Sequence, residues 1–319
     1  MIQLFDIPRH RVDTADYPNV LGGSIVQALE DEVAAYVGAR YAVSLSSATA
    51  GIFLLAKYMG YDRAVIPSMI PPVVPNALIN SGIRTHFVDD THWVGGSYAL
   101  LFDEGRKLID SAHQLDKDQY RDHIAIEDNS ELDAIIYSFY PTKVVGGCDG
   151  GMVVSNDKEL IDTLRCLANN GMTLEATSWN RVPVTPGWKM YMNAMQAEIA
   201  MQNLANLHQK KERLAKVRDV YNDFFGLKNH SDHLYRVTTH EKNTSVLEEA
   251  RKEGITCGVH YKALHPVAIY SEHITSWDLQ DLAKSETAQQ HTVSIPYHEH
   301  LTKEELDTVC QFFADKLKA

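Results

Sequence analysis

Residues 137–151 read YSFYPTKVVGGCDGG, and they place one lysine, Lys143, between two apolar segments. Both segments, residues 133–139 and 151–155, have the composition of buried β-strands. Four glycines follow within eight residues of the lysine, and glycine allows the backbone to approach a ligand closely. A solvated loop lysine is the commoner interpretation of such a residue. Whether this amine has a function therefore depends on the groups that the rest of the chain offers.

The composition limits the classes of function. The chain has 319 residues, enough for a large core and for one or two domains. Its net charge of −12 argues against nucleic acid or an anionic membrane surface as the main partner, because both are bound through a basic face. The four cysteines contain no CxxC pair, which indicates neither a disulfide framework nor a zinc site. Without a signal peptide or an apolar run of transmembrane length in this sequence, we expect a soluble cytoplasmic protein.

The order of predicted elements indicates an α/β fold. Apolar segments of strand length alternate with helical segments up to residue 156, which is typical of a largely parallel sheet covered by helices on both faces. One long amphipathic helix is predicted over residues 194–225, followed by a smaller alternation of strands and helices. We therefore expect an N-terminal arm at 1–20, a large domain at 21–228 and a small C-terminal α/β domain at 229–319. Ligands bind such sheets at the ends of the strands.

Two other strand ends carry chemistry that matches a lysine. The segment SSAT at 46–49 precedes a helix whose positive end can bind phosphate, although an ordinary helix cap explains it equally well. Asp110 ends a second apolar run, where a buried carboxylate needs a cation or hydrogen-bond donors, although capping of the next turn is as common. Pyridoxal phosphate requires an amine, a carboxylate and a phosphate site. Neither a Walker loop nor a GxGxxG dinucleotide motif is present.

Six sequence blocks occur in the order of one enzyme family. They are SSATAG at 46–51, PSM at 67–69, IDSAH at 109–113, SFYPTK with CDGG at 138–151, TPGWK at 185–189 and VHYKALH at 259–265. On these blocks the chain resembles, from about residue 20 to its C-terminus, the DegT/DnrJ/EryC1/StrS family of sugar aminotransferases. The resemblance implies a PLP-dependent transferase of fold type I, with a mainly parallel sheet flanked by helices, and pyridoxal 5'-phosphate as cofactor.

The resemblance also implies roles for individual residues. Lys143 forms the Schiff base with the cofactor and later moves the proton between substrate carbon and cofactor. Asp110 pairs with the pyridine nitrogen, and His113 lies near the ring hydroxyl. The other implied cofactor-binding positions are Ser47, Ala48, Thr49 and Ser138 at the phosphate, Pro71 over the ring, and Lys189, which reaches the phosphate of a neighbouring subunit.

The expected reaction follows from the same resemblance. It is transfer of an amino group, with L-glutamate as the expected donor, to a keto-sugar nucleotide in amino-sugar or polysaccharide biosynthesis. The role of Lys189 implies a homodimer with a shared active site. His260, Tyr261 and His265 of the VHYKALH block are candidate substrate contacts, although packing between the domains explains the histidines equally well.

No metal site is expected. Two groups of histidines, at residues 298–300 and at His230 and His233, lack a fixed set of ligand partners. We interpret both groups as parts of surface loops.

The chain departs from the family pattern at two places. Pro71 stands where members carry an aromatic residue that stacks on the cofactor, and no aromatic residue lies between positions 63 and 84. The segment 89–110 is shorter than usual, as though a helix were missing. These departures keep one alternative open: a catalytically impaired homologue that binds PLP or a sugar nucleotide in a regulatory or partner-subunit role. Family members that dehydrate sugars replace the lysine by histidine, so Lys143 argues against that reaction.

Overall fold

A seven-stranded sheet forms the centre of the N-terminal part of the chain. The computed structural model describes residues 1–17, 19–20, 22–126, 132–173, 182–271 and 282–318. The strands are β1 (Tyr41–Leu45), β2 (Arg63–Pro67), β3 (Arg84–Val88), β4 (Tyr98–Phe102), β5 (Lys107–Asp110), β6 (Leu132–Ser138) and β7 (Gly151–Ser155). They lie in the order β1-β7-β6-β5-β4-β2-β3. β4 and β7 are antiparallel to both of their neighbours, so the other five strands run in one direction, as predicted.

The direction of β4 follows from the shortened segment noted in the sequence. Only four residues, 103–106, separate β4 from β5. A parallel crossover needs a dozen or more residues, so a connection this short can only turn back. The two strands therefore form a hairpin, and its register places Tyr98 opposite Asp110.

Helices cover both faces of the sheet. Alternate residues of β6 enter opposite clusters: Ala134 and Ile136 pack on one side, and Ile135 and Tyr137 on the other. The first side is covered by α2 (Ala48–Met59), α3 (Val73–Asn80) and α5 (Lys158–Ala168). The second side is covered by α1 (Ser24–Val37), α4 (Gln119–Ile126) and α6 (Ala194–Ala205).

The long helix predicted over residues 194–225 is in fact two helices, so the prediction of one continuous helix was wrong. α6 ends at Ala205, and α7 spans Leu207–Phe225. Between them Asn206 has the non-helical angles φ −98° and ψ 3°. Its side-chain amide donates to the carbonyl of Gln202 at 2.9 Å. That bond competes with the main-chain bond of the helix, which explains the break.

The C-terminal part is a small α/β unit. Strand β8 (Tyr235–Thr238) pairs antiparallel with β9 (Thr292–Ile295). The other helices of this part are α8 (Asn243–Lys252), α9 (Ala268–Ser271), α10 (Ala283–His291) and α11 (Lys303–Phe313). Tyr270 of α9 packs in the core of the large part, against Phe87. Among the described residues, no helix combines the length and apolar composition needed to cross a membrane.

The N-terminal arm packs on this small unit. The arm contains one turn of 3₁₀ helix at Thr14–Asp16 and an isolated parallel β-bridge between Ile2 and Ile255. The Ile2 N–H donates to the carbonyl of Gly254 at 2.8 Å, and Ile2 joins the core of the small unit together with Leu214 and Tyr221 of α7. The α7 helix therefore connects the two parts of the chain. The division into domains at residues 20 and 228 stays a prediction.

Candidate active site

The strand ends singled out in the sequence lie at one edge of the sheet. β1, β5 and β6 are parallel, so their C-terminal ends meet there, and the antiparallel β7 begins there. The register places Leu45 beside Gly151 and Gly151 beside Ser138. Asp110 pairs with Ile136, two residues before Ser138. The fold therefore brings together the SSAT segment, the carboxylate and the turn that carries the lysine.

Lys143 lies in the turn after β6, with its amine directed inward. The Nζ atom is 3.4 Å from Nε2 of His233. Burial lowers the pKa of Lys143 to about 8, and the negative charge of Asp110 opposes that shift. A lysine with this pKa is partly neutral near pH 7, and the neutral amine is the form that attacks an aldehyde. The amine is therefore not that of a solvated loop lysine.

The carboxylate of Asp110 is buried at the end of β5, with 4% of the residue exposed. The Tyr98 hydroxyl donates to Oδ2 at 2.6 Å, and the Ala112 N–H donates to Oδ1 at 2.9 Å. Burial raises the pKa of Asp110, while these two hydrogen bonds and the charge of Lys143 act against the rise. Each carboxylate oxygen has room for another donor. The group can therefore bind a protonated ring nitrogen.

His113 joins the 89–96 loop to the small unit. The Gly95 N–H donates to its Nδ1 at 3.1 Å, so the ring hydrogen lies on Nε2, which donates to the Tyr261 hydroxyl at 2.8 Å. Trp93 stacks on both rings, with centroid distances of 5.3 Å to His113 and 5.9 Å to Tyr261. The indole N–H of Trp93 donates to the carbonyl of Met69 at 3.0 Å. Trp93 thus supplies an aromatic ring beside the PSM segment that lacks one of its own.

Pro71 lies where that segment leads into α3. Its carbonyl accepts a hydrogen bond from the Val74 N–H at 3.1 Å, and the residue is half-buried. The predicted role over the cofactor ring stays a prediction.

The SSAT segment leaves helix N–H groups available for an anion. Ser47 caps α2, because its hydroxyl accepts from the Ala50 N–H at 3.1 Å. The first N–H groups of a helix have no acceptor within the helix. Within the described part of the chain, those of Ala48 and Thr49 are left for a ligand. A Cβ on Gly151 would overlap the backbone nitrogen of Ala48, so only glycine fits in β7 at this point.

These groups fit pyridoxal phosphate. They offer an inward amine, a buried carboxylate with spare acceptor capacity, and a helix N-terminus beside the hydroxyl-bearing Ser138. The amine can react with the aldehyde of the cofactor, the carboxylate can accept from its ring nitrogen, and the helix N–H groups can bind its phosphate.

Lys189 lies outside this group and is exposed. It pairs with Asn169 in an isolated β-bridge, and the carbonyl of the next residue, Met190, accepts from the Ser46 N–H at 2.7 Å. The lysine is therefore on the surface beside the SSAT segment. Its contact with a second subunit stays a prediction.

The histidines of the VHYKALH block make different contacts. Nδ1 of His265 is 2.6 Å from the Ser68 hydroxyl, and its Nε2 is 3.3 Å from Glu286, so it links the large and small parts. Nδ1 of His260 is 2.9 Å from the Ser294 hydroxyl. Burial, aided by the charge of Lys143, lowers the pKa of His260 to about 4. Substrate contact by either histidine stays a prediction.

The structure corrects the interpretation of His233. We expected a surface loop, but His233 is only 4% exposed and lies beside the amine of Lys143. His230 is exposed, as predicted. His233 stands two residues before β8, and its contact with Lys143, 90 positions away, leaves no signal in the local sequence. In the described part of the chain, no group of three or more His, Cys, Asp or Glu residues could hold a metal ion.

Comparisons with known proteins match the chain to one enzyme family. The family model described as the DegT/DnrJ/EryC1/StrS aminotransferase family matches residues 12–93 and 108–314. The gap in the match contains β4 and its turn. The spore coat polysaccharide biosynthesis protein SpsC of Bacillus subtilis (strain 168) is 26% identical over 357 residues, covering 93% of this chain and 90% of SpsC.

Solved structures share the fold over nearly the whole chain. PseC of Helicobacter pylori, an aminotransferase involved in the biosynthesis of pseudoaminic acid, has a TM-score of 0.78 at 18% identity, covering 97% of this chain and 98% of PseC. The PLP form of Spr1654 from Streptococcus pneumoniae has a TM-score of 0.78 at 20% identity, covering 98% of each chain. The predicted fold class, PLP-dependent transferase fold type I, is confirmed.

Proposed function

The chain belongs to the DegT/DnrJ/EryC1/StrS aminotransferase family, and from this premise we propose that it transfers an amino group to a keto-sugar nucleotide. The proposed donor is L-glutamate, and the proposed setting is amino-sugar or polysaccharide biosynthesis in the cytoplasm. The observation that carries the proposal is the inward amine of Lys143, placed near the buried carboxylate of Asp110 at the edge of the sheet.

The proposed cofactor is pyridoxal 5'-phosphate, which when bound supplies an aldehyde and an electron-withdrawing ring. Lys143 is positioned to bond covalently to the aldehyde through Nζ. Asp110 would keep a proton on the ring nitrogen, and His113 would face the ring hydroxyl. The phosphate would lie between the N-terminus of α2 and Ser138. These positions are the ones that the family resemblance assigned from the sequence.

Lys143 is also the proposed proton carrier. Its lowered pKa means that Nζ, when released, can take a proton from the substrate carbon and return it at pH values near neutral.

The substrate side is proposed to include His260, Tyr261 and His265. Of these three residues, Tyr261 has the strongest support for a place in the site, since its hydroxyl is hydrogen-bonded to His113. His265 lies further out, between Ser68 and Glu286.

We further propose a homodimer in which Lys189 reaches the phosphate site of the partner. Two observations support this: Lys189 is exposed next to the SSAT segment, and the nearby Val182 and Val184 are each 64% exposed. Apolar side chains this exposed favour burial against another surface.

The cofactor is tested by the colour of the protein. Purified protein mixed with PLP is expected to show the yellow absorbance of lysine-bound cofactor, and Lys143→Ala should abolish it. Lys158→Ala, at an exposed lysine of α5, is the matched control and should stay yellow. A colourless wild-type protein would exclude the proposed cofactor site.

The reaction is tested by adding glutamate to the yellow protein. Loss of the yellow band, followed by amination of one member of a panel of keto-sugar nucleotides, supports the aminotransferase. A bound cofactor that glutamate leaves unchanged would support the catalytically impaired homologue instead.

A further inference from the structure

His233 is held from both sides at the edge of the active site. It lies in the short segment before β8 and is 4% exposed. The ring of Phe5, from the N-terminal arm, stacks on it at a centroid distance of 5.5 Å and an interplanar angle of 13°. The ring of His113 packs against it at 4.5 Å. The imidazole therefore has little freedom to rotate away from Lys143.

The contact between His233 and Lys143 has a defined direction. Nε2 is 3.4 Å from Nζ, which is long for a hydrogen bond but within reach of a small rotation of the lysine chain. A lysine ammonium has only donors, so in that form Nζ donates and Nε2 accepts. The hydrogen of the neutral ring then lies on Nδ1.

The charges around the pair keep the imidazole neutral. Burial lowers the pKa of His233 well below its ordinary value, and the positive charges of Lys143 and Lys210 add to the effect. The pKa of Lys143 is about 8, so the proton of the pair stays on the lysine. The titratable and polar groups that act on the pair include Asp110, His113, His260 and Lys210, together with the backbone carbonyl of Thr142. The cavity beside the pair is also lined by Asp6, Asp232, Tyr297, His298 and Glu299.

A reaction in which Lys143 leaves and rejoins the cofactor needs a place for the free amine. Asp110 acts on the amine through its charge, but its carboxylate is the proposed partner of the ring nitrogen, whereas His233 is the side chain within hydrogen-bonding reach of Nζ. A neutral imidazole can accept a hydrogen bond from the amine without removing its proton.

We propose that His233 is a positioning residue that accepts a hydrogen bond from the Lys143 amine whenever this amine is not bonded to the cofactor. His233 thereby holds Nζ of Lys143 at the site until Nζ bonds to the cofactor again. This inference rests on the proposed function, because it takes Lys143 as the residue that carries the cofactor.

Two substitutions separate the hydrogen bond from the packing. His233→Phe keeps an aromatic ring for Phe5 and His113 but removes the acceptor. His233→Gln loses the ring but places an amide oxygen close to the position of Nε2. If His233 only packed against its neighbours, His233→Phe would change the reactivity of Lys143 less than His233→Gln. If His233 accepts a hydrogen bond, His233→Gln would change it less.

The measurement is the pH dependence with which Lys143 reacts in the cofactor-free protein. Pyridoxal is the probe, its adduct is trapped with borohydride, and the labelled peptide is quantified by mass spectrometry. The wild-type midpoint is expected near pH 8. His233→Phe should lower it by about one unit, because the ammonium form loses its acceptor. His233→Gln should restore it. An unchanged or raised midpoint in His233→Phe would overturn the proposal.

A second measurement needs no substitution. The ¹⁵N chemical shifts of His233 in the cofactor-free wild-type protein report which ring nitrogen carries the hydrogen. Nδ1–H with an unprotonated Nε2 is expected, and Nε2–H would overturn the proposal. The outcome is separable from that of the proposed function: if PLP never colours the wild type, the cofactor site fails whatever His233 does. If PLP bonds to Lys143 but His233→Phe behaves like the wild type, only the role of His233 fails.

Discussion

At the scale of single residues, the hydroxyl of Tyr98 is the main donor to the carboxylate of Asp110. A buried carboxylate loses the solvation that water gives its charged form, so its pKa rises unless donors or cations replace the water. The Tyr98 hydroxyl, 2.6 Å from Oδ2, is such a donor. It therefore favours the ionised form, which is the form that can pair with a protonated ring nitrogen.

Tyr98→Phe is expected to weaken PLP binding by about tenfold at neutral pH, since hydrogen bonds to charged groups contribute about 1.5–3 kcal/mol. The pKa of Asp110 is already raised, and loss of the donor raises it further. As the pH falls, the carboxylate of Asp110 should therefore become protonated at a higher pH in the variant than in the wild type. The affinity for PLP should be lost over the same pH range. The measurement is an absorbance titration with PLP at several pH values.

Tyr270→Phe is the matched control for that titration. Its hydroxyl donates to Asn76 at 3.0 Å, outside the site, and its removal should leave PLP affinity unchanged. Equal affinities of Tyr98→Phe and the wild type at every pH would contradict the role given to Tyr98.

The site residues identified in the sequence have local signals, whereas those that were missed depend on contacts made by the fold. Lys143 and Asp110 stand out locally, because each ends or follows a buried apolar run in which a charge needs an explanation. His233 lacks such a local signal, because its contact with Lys143 joins residues 90 positions apart. Trp93 also depends on tertiary structure, since its role follows from packing on His113 and Tyr261.

At the scale of elements, the N-terminus of α2 and the start of β7 lie too close for any side chain between them. Gly151 faces the backbone of Ser47 and Ala48 there. The N–H groups of Ala48 and Thr49 are thus held in place by a strand that lies directly against the helix end.

Gly151→Ala is expected to destabilise the protein by about 1–3 kcal/mol, the usual range for overpacking a closed site. Its Cβ would push the end of α2 away from β7, so PLP affinity should fall as well. Urea unfolding and PLP titration measure the two effects. Gly22→Ala is the control, since its nearest neighbour would lie 3.9 Å away. If Gly151→Ala matched this control in both measurements, the close packing would be disproved.

The elements were partly predictable. The alternation of apolar segments predicted the sheet and its flanking helices, because burial on both faces leaves long apolar runs. The break at Asn206 was missed, because the amphipathic period continues through it while a side-chain bond interrupts the backbone. The reversed direction of β4 could have been inferred from the length of the 103–106 turn alone.

At the scale of the whole molecule, the 89–96 loop, which lies within the shortened segment 89–110, joins the small unit to the sheet. Asp89 accepts hydrogen bonds from the backbone of Lys284 and Ser285 at the start of α10, at 3.0 and 2.7 Å. The guanidinium of Arg236 donates to the carbonyl of Thr91 at 2.8 Å. These contacts hold the small unit against the sheet, so that Tyr261 reaches His113 and His233 reaches Lys143. The shortness of segment 89–110 was visible in the sequence, but the residues that the 89–96 loop contacts were not.

The shared active site is tested by mixing two inactive subunits. Lys143→Ala lacks the covalent lysine, and Lys189→Ala lacks the proposed contact with the partner's phosphate. If the site is shared across a dimer, each hybrid has one site with both lysines and one with neither. Random assortment then restores about a quarter of the wild-type sites, measured as transfer activity.

The control mixes two variants that both lack the covalent lysine, Lys143→Ala and Lys143→Arg, and should restore nothing. Hybrids that form, as shown by mass spectrometry, but gain no sites would contradict a role for Lys189 in the partner.

The hairpin of β4 and β5 has a consequence for the entropy of folding. Tyr98 and Asp110 are only twelve residues apart, so bringing the hydroxyl to the carboxylate closes a short loop. The pairing of Tyr41 with Ser155, by contrast, closes a loop of more than one hundred residues. The entropy lost on closure grows with the logarithm of loop length. The hydrogen bond from Tyr98 to the buried Asp110 carboxylate therefore costs little loop-closure entropy compared with the pairing of β1 and β7.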